Sequence, residues 1–273
     1  MKNNFKLLAL AGAMAVSVIS CKKDAPVSLQ KQAVSKDALA AIASLGFSTD
    51  NVIARDGGYL VEGDILLTEA NLKDPGNSPN IRIANEEQYR TTNLVTRLPR
   101  TITISVTNLP TVYSTAVDEA IRRYNAENLQ LKFARASSGT TGNIDVFGFN
   151  EGPSGGYITL GSSGFPTSTG DPYNQIKMNT NEQAYGSNPD VNYLASVLTH
   201  EIGHAIGFRH TDYMNRQYSC GGRHSNEGSA GVGAIQIPGT PSKADAESWM
   251  LACSNGGNRL FNPNDIIALN YLY

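Results

Sequence analysis

The chain has 273 residues, with 22 Lys and Arg against 24 Asp and Glu and a formal net charge of −2. Charge so evenly balanced leaves no basic stripe and argues against nucleic acid as a partner. The length suits one large domain, or one domain and a small one, and past residue 20 no apolar run is long enough to cross a membrane.

Residues 1–20 read as a leader. Lys2 and Lys6 make a positive start, and 7–20 is uncharged and apolar or small, too short for a permanent span. It ends in Val18-Ile19-Ser20-Cys21, which resembles the lipobox of bacterial lipoproteins, whose Cys is lipidated and becomes the new N-terminus. The reading competing with it is an ordinary signal peptide with an incidental Cys. Processing at Cys21 implies export and anchoring through an N-terminal lipid, at an outer membrane or cell surface. Loss of Lys2 and Lys6 takes the formal charge from −2 to −4. With Cys21 lipidated, Cys220 and Cys253 remain as the one pair, and an oxidising compartment favours a disulfide between them over two free thiols.

Residues 21–95 are expected to form a lipid-anchored N-terminal segment. Within it, 36–45 reads as a short helix, 51–67 alternates like strands about the Asp56-Gly57-Gly58 turn, and 70–95 reads as a linker. Organised globular signal begins near residue 100, and the second domain is set at 96–273. Residues 101–106 alternate and are β-branched, a strand. Ala116, Val117, Ala120, Ile121 and Tyr124 follow a 3.6-residue rhythm, predicting a helix over 114–128. Residues 129–134, 143–149, 157–160 and 175–179 read as strands. Asn188-Pro189-Asp190 then opens a long helix as a polar cap with Pro in the first turn, and 262–273 reads as a closing helix.

The long helix carries His200-Glu201-Ile202-Gly203-His204. Histidines four apart lie on one helical face and reach one cation, with Glu201 beside them. Gly207 suits a left-handed helix end that turns the chain and returns His210 toward the same ion. The chain has only four His, and three fall at these places. Three histidines with an open fourth position describe a catalytic zinc rather than a closed structural one.

Residues 200–212, HEIGHAIGFRHTD, resemble the bacterial HEIGH metallopeptidases of the M57 type, within the metzincin clan of zinc endopeptidases. The resemblance implies one catalytic Zn2+ on His200, His204 and His210, Glu201 as general base, and protein or peptide substrates. It implies an α+β fold: a twisted, mostly parallel sheet with an antiparallel edge strand, a metal-binding helix and a C-terminal helix. It also implies a methionine beneath the metal, for which Met250 is the candidate, against the plainer reading of a core Met. Some metzincins add a Tyr ligand two residues on; here that position is Ala252. Substrate is expected to pair with the strand at 157–160.

Several residues stay open. His224 is a ligand candidate but reads better as a solvated loop histidine. Asp212 suits either a hydrogen bond to a ligand histidine or a turn cap, and Asp265 reads as a helix cap. No pattern fixes a Ca2+ site. Residues 21–95 are either a latency pro-region or a spacer. No Cys lies between Cys21 and Cys220 to close over a metal, and Asp64 is one carboxylate that could, with nothing singling it out. The function class competing with an endopeptidase is a zinc-binding surface lipoprotein that captures polymers without cutting them. Mass spectrometry of the exported protein should find a lipid-modified Cys21 at the N-terminus; any other unmodified first residue ends the lipoprotein reading.

Overall fold

A computed structural model describes residues 33–73, 88–154, 156–227, 233–241 and 244–273. The leader and Cys21 lie outside them. In chain order the elements are α1 (Lys36–Ser44), β1 (Ile53–Arg55), β2 (Gly58–Val61), β3 (Ile65–Thr68), α2 (Glu69–Lys73) and β4 (Tyr89–Arg90). There follow β5 (Arg100–Thr107), α3 (Thr111–Ala126), β6 (Leu131–Arg135), β7 (Ile144–Phe149), β8 (Gly161–Ser163) and β9 (Gln175–Asn179). The chain closes with α4 (Glu182–Tyr185), α5 (Val191–Ile206), α6 (Gln217–Cys220), β10 (Ile235–Gln236) and α7 (Pro263–Leu272).

Eight strands form one sheet in the order β1-β2-β3-β8-β9-β7-β5-β6. The half β6-β5-β7-β9 is parallel, and its buried residues Ile102, Ile104, Leu131, Ile144, Val146 and Ile176 share one core with the helices. β8 joins β9 antiparallel, with Gly161 opposite Met178. The fold is therefore the expected α+β class with a mixed, mostly parallel sheet. One feature differs: β8 is not an edge. β3 pairs with its outer side, parallel, and β2 and β1 continue the sheet. The expected domain boundary at residue 96 thus falls inside a shared sheet.

Two local expectations are corrected. Residues 157–160 form no strand; the ladder begins at Gly161, because pairing with β9 rather than the Tyr-Ile-Thr-Leu composition fixes it. Residues 88–95 are not linker. Gln88, Tyr89, Thr91 and Val95 are buried, β4 pairs with β10, and Thr91 N–H donates to the Gly207 carbonyl at 2.8 Å. Residues 74–87 lie outside the described residues.

α3 and α5 pack on the sheet. Ala116, Val117, Ala120 and Tyr124 of α3 and Leu194, Leu198 and Ile202 of α5 meet Ile102, Ile104, Ile144, Val146 and Ile176 in one core. α5 is capped by Asp190, whose side chain accepts from Tyr193 N–H at 2.8 Å, so Pro189 precedes the cap instead of following it. It ends at Gly207 in the left-handed region, φ 115°.

Gly203 shows how closely α5 is packed. A Cβ there would lie 2.4 Å from the Trp249 ring and 2.6 Å from Met250 Sδ. The Trp249 ring is itself wedged among Tyr124, Phe208 and Phe261 and has nowhere to go. Alanine's helix preference gains about 1 kcal/mol. Overpacking of this kind costs about 1–3 kcal/mol. We expect Gly203→Ala to be destabilising on balance, with Tm falling by roughly 2–4 °C per kcal/mol lost; a rise in Tm in a thermal melt contradicts this packing.

Candidate metal centre

His200 and His204 are one turn apart on α5, ring centroids 4.7 Å from each other. The left-handed turn at Gly207 reverses the chain and brings the His210 ring to 5.3 Å from His200 and 4.7 Å from His204. The returning strand is held on both flanks. Arg209 N–H donates to the Tyr89 carbonyl at 2.8 Å, and Thr211 N–H to the Met250 carbonyl at 2.9 Å.

The outer nitrogens fix how each ring is protonated. His200 Nδ1 lies 3.0 Å from the Trp249 carbonyl and His204 Nδ1 2.9 Å from the Phe208 carbonyl. A carbonyl only accepts, so both Nδ1 atoms carry the proton and both Nε2 atoms present a lone pair inward. His210 Nδ1 is 2.6 Å from Glu227 Oε1. Glu227 is fully buried and also meets Arg209 at 3.4 Å and Arg216 at 3.2 Å. Sequence reasoning missed it, because Asn226-Glu227 carries no motif and its partner is seventeen residues away.

The inner atoms converge on one point. His204 Nε2 and His210 Nε2 are 3.1 Å apart, and His200 Nε2 has no hydrogen-bond partner although buried. At that distance the two nitrogens share one positive centre, a proton or a metal ion. Donors on a four-coordinate zinc, with bonds of about 2.0–2.2 Å, stand roughly 3.3–3.6 Å apart, so the residues fit such an ion. Burial lowers the His204 imidazole well below its usual range and the neighbouring His200 and His210 lower it further, keeping it neutral as a ligand must be. Burial works against charge on His210, yet Glu227 and Asp64 raise it well above that range.

A fourth donor is present, and it corrects the expectation of an open corner. Asp64, in the turn between β2 and β3, places Oδ2 3.1 Å from His210 Nε2 and 3.5 Å from His200 Nε2. Asp64 and the three histidines offer donor atoms all within 4.8 Å of one another. Burial opposes its ionisation, but His210 and His200 beside it hold the Asp64 carboxyl well below the usual range. Its Oδ1 has no partner.

Glu201 lines the same cleft, 2% exposed. Its carboxylate lies against Gly161, where a Cβ would come within 2.7 Å of Oε1, so glycine lets β8 approach the base. Burial raises Glu201 well above the carboxylate range, the Asp64 charge adds to the rise, and His210 opposes it. The cleft, about 330 Å³, is lined by Asp64, His200, Glu201, Trp249, Leu251 and Tyr157 among others.

Met250 is fully buried beneath α5, its Sδ against Gly203 between the two helical histidines. Cys220 and Cys253 form a disulfide, Cα atoms 5.1 Å apart, tying α6 to the segment after Met250. Asp212 touches no histidine. It accepts from Ala252 N–H at 2.9 Å and from the Ser219 hydroxyl at 2.6 Å, clamping the same segment. Asp265 completes a capping box with Asn262 and accepts from Ser248 and Trp249; burial pushes it up to about 7. His224 is exposed on its loop, outside the cluster.

An α+β domain with convergent imidazoles on a helix and a buried carboxylate beside them defines a metal-dependent hydrolase. The family model of the dual-action HEIGH metallo-peptidases matches residues 59–273, and the chain belongs to that family. Among solved structures, myroilysin aligns with a TM-score of 0.42 and 16% identity over 66% of this chain and 96% of that one. High choriolytic enzyme 1, a hatching enzyme zinc-protease from Oryzias latipes (medaka fish), aligns with a TM-score of 0.35 and 14% identity over 63% and 88%. No curated protein matches the chain.

Carboxylates that orient a ligand histidine commonly account for 10–100-fold in metal affinity. Glu227→Gln should weaken zinc retention by about that factor in competition with a chelator, while circular dichroism stays native. Unchanged affinity assigns Glu227 to Arg209 and Arg216 alone.

Proposed function

We propose that this metallopeptidase is an exported, lipid-anchored endopeptidase that hydrolyses internal peptide bonds of protein substrates with one zinc ion held by His200, His204 and His210. The observation that carries the reading is the convergence of three Nε2 lone pairs in the cleft that Glu201 lines. The export and anchor rest on the leader and Cys21.

Zinc, when bound, supplies Lewis acidity toward a carbonyl and lowers the pKa of water. The chain supplies the rest. Glu201 accepts the proton of the attacking water and passes it to the leaving amine. Its burial, without a hydrogen-bond partner on Oε2, leaves that oxygen available for the proton. The carbonyls of Trp249 and Phe208 and the carboxylate of Glu227 hold the rings so that Nε2 faces inward. Met250 serves as a soft apolar floor that fixes the height of the helical histidines. An extended peptide would lie along the cleft that Tyr157, Glu201 and Leu251 line.

General base catalysis contributes about 10²–10⁴ in rate. Glu201→Gln should therefore keep its zinc and lose peptide cleavage by about that factor, measured with a peptide library and with chelator as the blank. Undiminished cleavage removes Glu201 as the base. Zinc retained with no cleavage by the parent protein in any form favours a capture role.

A further inference from the structure

We propose that Arg259 sets the specificity of the cleft by binding a carboxylate of the peptide substrate beside the bond to be cut. The inference rests on the metallopeptidase reading and adds the chemistry of the substrate.

Local turns carry Arg259 to the cleft. After Cys253 the chain doubles back: Ser254 Oγ accepts from Gly256 N–H at 3.1 Å and Asn255 Oδ1 from Gly257 N–H at 3.0 Å. Arg259 thereby returns to Cys253, and its Nη1 donates to the Cys253 carbonyl at 3.0 Å. The disulfide to Cys220 ties that segment down. On the helix side, Arg259 N–H donates to Ser196 Oγ at 3.0 Å, and the Ser196 hydroxyl donates to the Arg259 carbonyl at 3.4 Å. Ser196 lies four residues before His200 on α5, about 6 Å along the axis. The backbone of Arg259 is therefore anchored roughly one helical turn from the metal ligands.

Three observations give this residue a ligand to hold. First, charge is divided along the cleft. Glu62, Asp64, Glu201 and Arg216 line it around the histidines, whereas Ser196, Val197 and the lining residues within 249–259 carry a single charge, that of Arg259. Second, that charge is unpaired. Among the described residues no carboxylate forms an ion pair with it. The Asp212 carboxylate is taken up by Ala252 and Ser219, and that of Asp265 by Ser248, Trp249 and Asn262. Glu247 is exposed and acts on Arg259 through space alone. Burial holds the guanidinium below its usual range, and the acids around it do not offset this. Its Nε–H is buried and has no partner. Third, Trp249, 2% exposed, lines the same cleft, and its Nε1–H is buried without an acceptor. Buried donors left unmade cost free energy until an acceptor arrives. Two such donors, one on a cation, suit an anionic acceptor, and the planar guanidinium matches a carboxylate. A peptide supplies one either as an Asp or Glu side chain next to an internal bond or as the free end of its chain.

The test uses the full-length, zinc-loaded protein and short peptides blocked at both ends, with one Glu at successive positions and a Gln isostere of each. Cleavage is followed as kcat/KM and binding by calorimetry. The parent should prefer Glu to Gln at one position beside the cut by about 10–30-fold. Arg259→Gln, which keeps a donor for the Cys253 carbonyl, should erase the preference and leave the Gln peptide as good a substrate as before. Arg259→Lys should retain part of the preference, and serves where the glutamine variant does not fold. No preference in the parent, or an equal loss for Glu and Gln peptides in Arg259→Gln, overturns the proposal, while the cleavage itself leaves the peptidase reading intact. The same peptides with a free C-terminus form a second arm. A preference seen only there upholds Arg259 as a carboxylate site and assigns it to the chain end. A Glu preference in binding without cleavage of any peptide upholds the carboxylate site and removes the peptidase reading. Absence of binding by every peptide overturns the site.

Discussion

Everything in the site depends on the outer nitrogen of each imidazole being committed. A histidine free to flip presents either tautomer, and three such rings would not hold lone pairs on one point. Here the Trp249 and Phe208 carbonyls take the protons of His200 and His204, and Glu227 takes that of His210. Two acceptors are backbone groups placed by the methionine loop and by the turn after α5. The third is a carboxylate from residue 227, anchored by two arginines. The metal-binding geometry is thus a consequence of loops folding onto a helix more than of the helix itself.

The loops are fixed with corresponding care. Residues 88–95 run beside Gly207 and Arg209 and keep the returning strand in place. The segment around Met250 is held from three sides, by Asp265 at Ser248 and Trp249, by Asp212 at Ala252, and by the disulfide at Cys253. Gly203 lets Trp249 and Met250 press against α5, and Gly161 lets β8 press against Glu201. Glycine stands at both places because any side chain would separate the layers that make the site.

What could be read from the sequence follows from how local each interaction is. The ligand histidines and Glu201 lie within eleven residues, and their spacing on a helix and turn states their geometry directly. Helices α3 and α7 and strands β7 and β9 were legible for the same reason, since periodicity and caps act within a few residues. β8 was not, because Gly161-Ser162-Ser163 has no strand propensity and pairs only because β9 and β3 lie on either side. Glu227 was invisible as a site residue, and Asp64 was legible only as one carboxylate that could reach a metal, with nothing to single it out. Asp64 meets His210 across 146 positions, and nothing near it in the chain marks the encounter. The burial of 88–95 was hidden likewise, by a polar composition that finds its partners in distant backbone.

Charge explains why a divalent ion suits the site. Glu62, Asp64, Glu201 and Glu227 crowd one buried region, against the guanidiniums of Arg209 and Arg216. Four ionised carboxylates and two guanidiniums leave a deficit of two positive charges, which burial makes costly. Without further positive charge the strain shows as raised carboxyls at Glu62 and Glu201, where burial and the neighbouring acids oppose ionisation. A dication at the histidines supplies the missing charge. With the dication bound, four carboxylates and two guanidiniums balance, and an ionised Glu201, the form a general base requires, becomes less costly in the buried cleft.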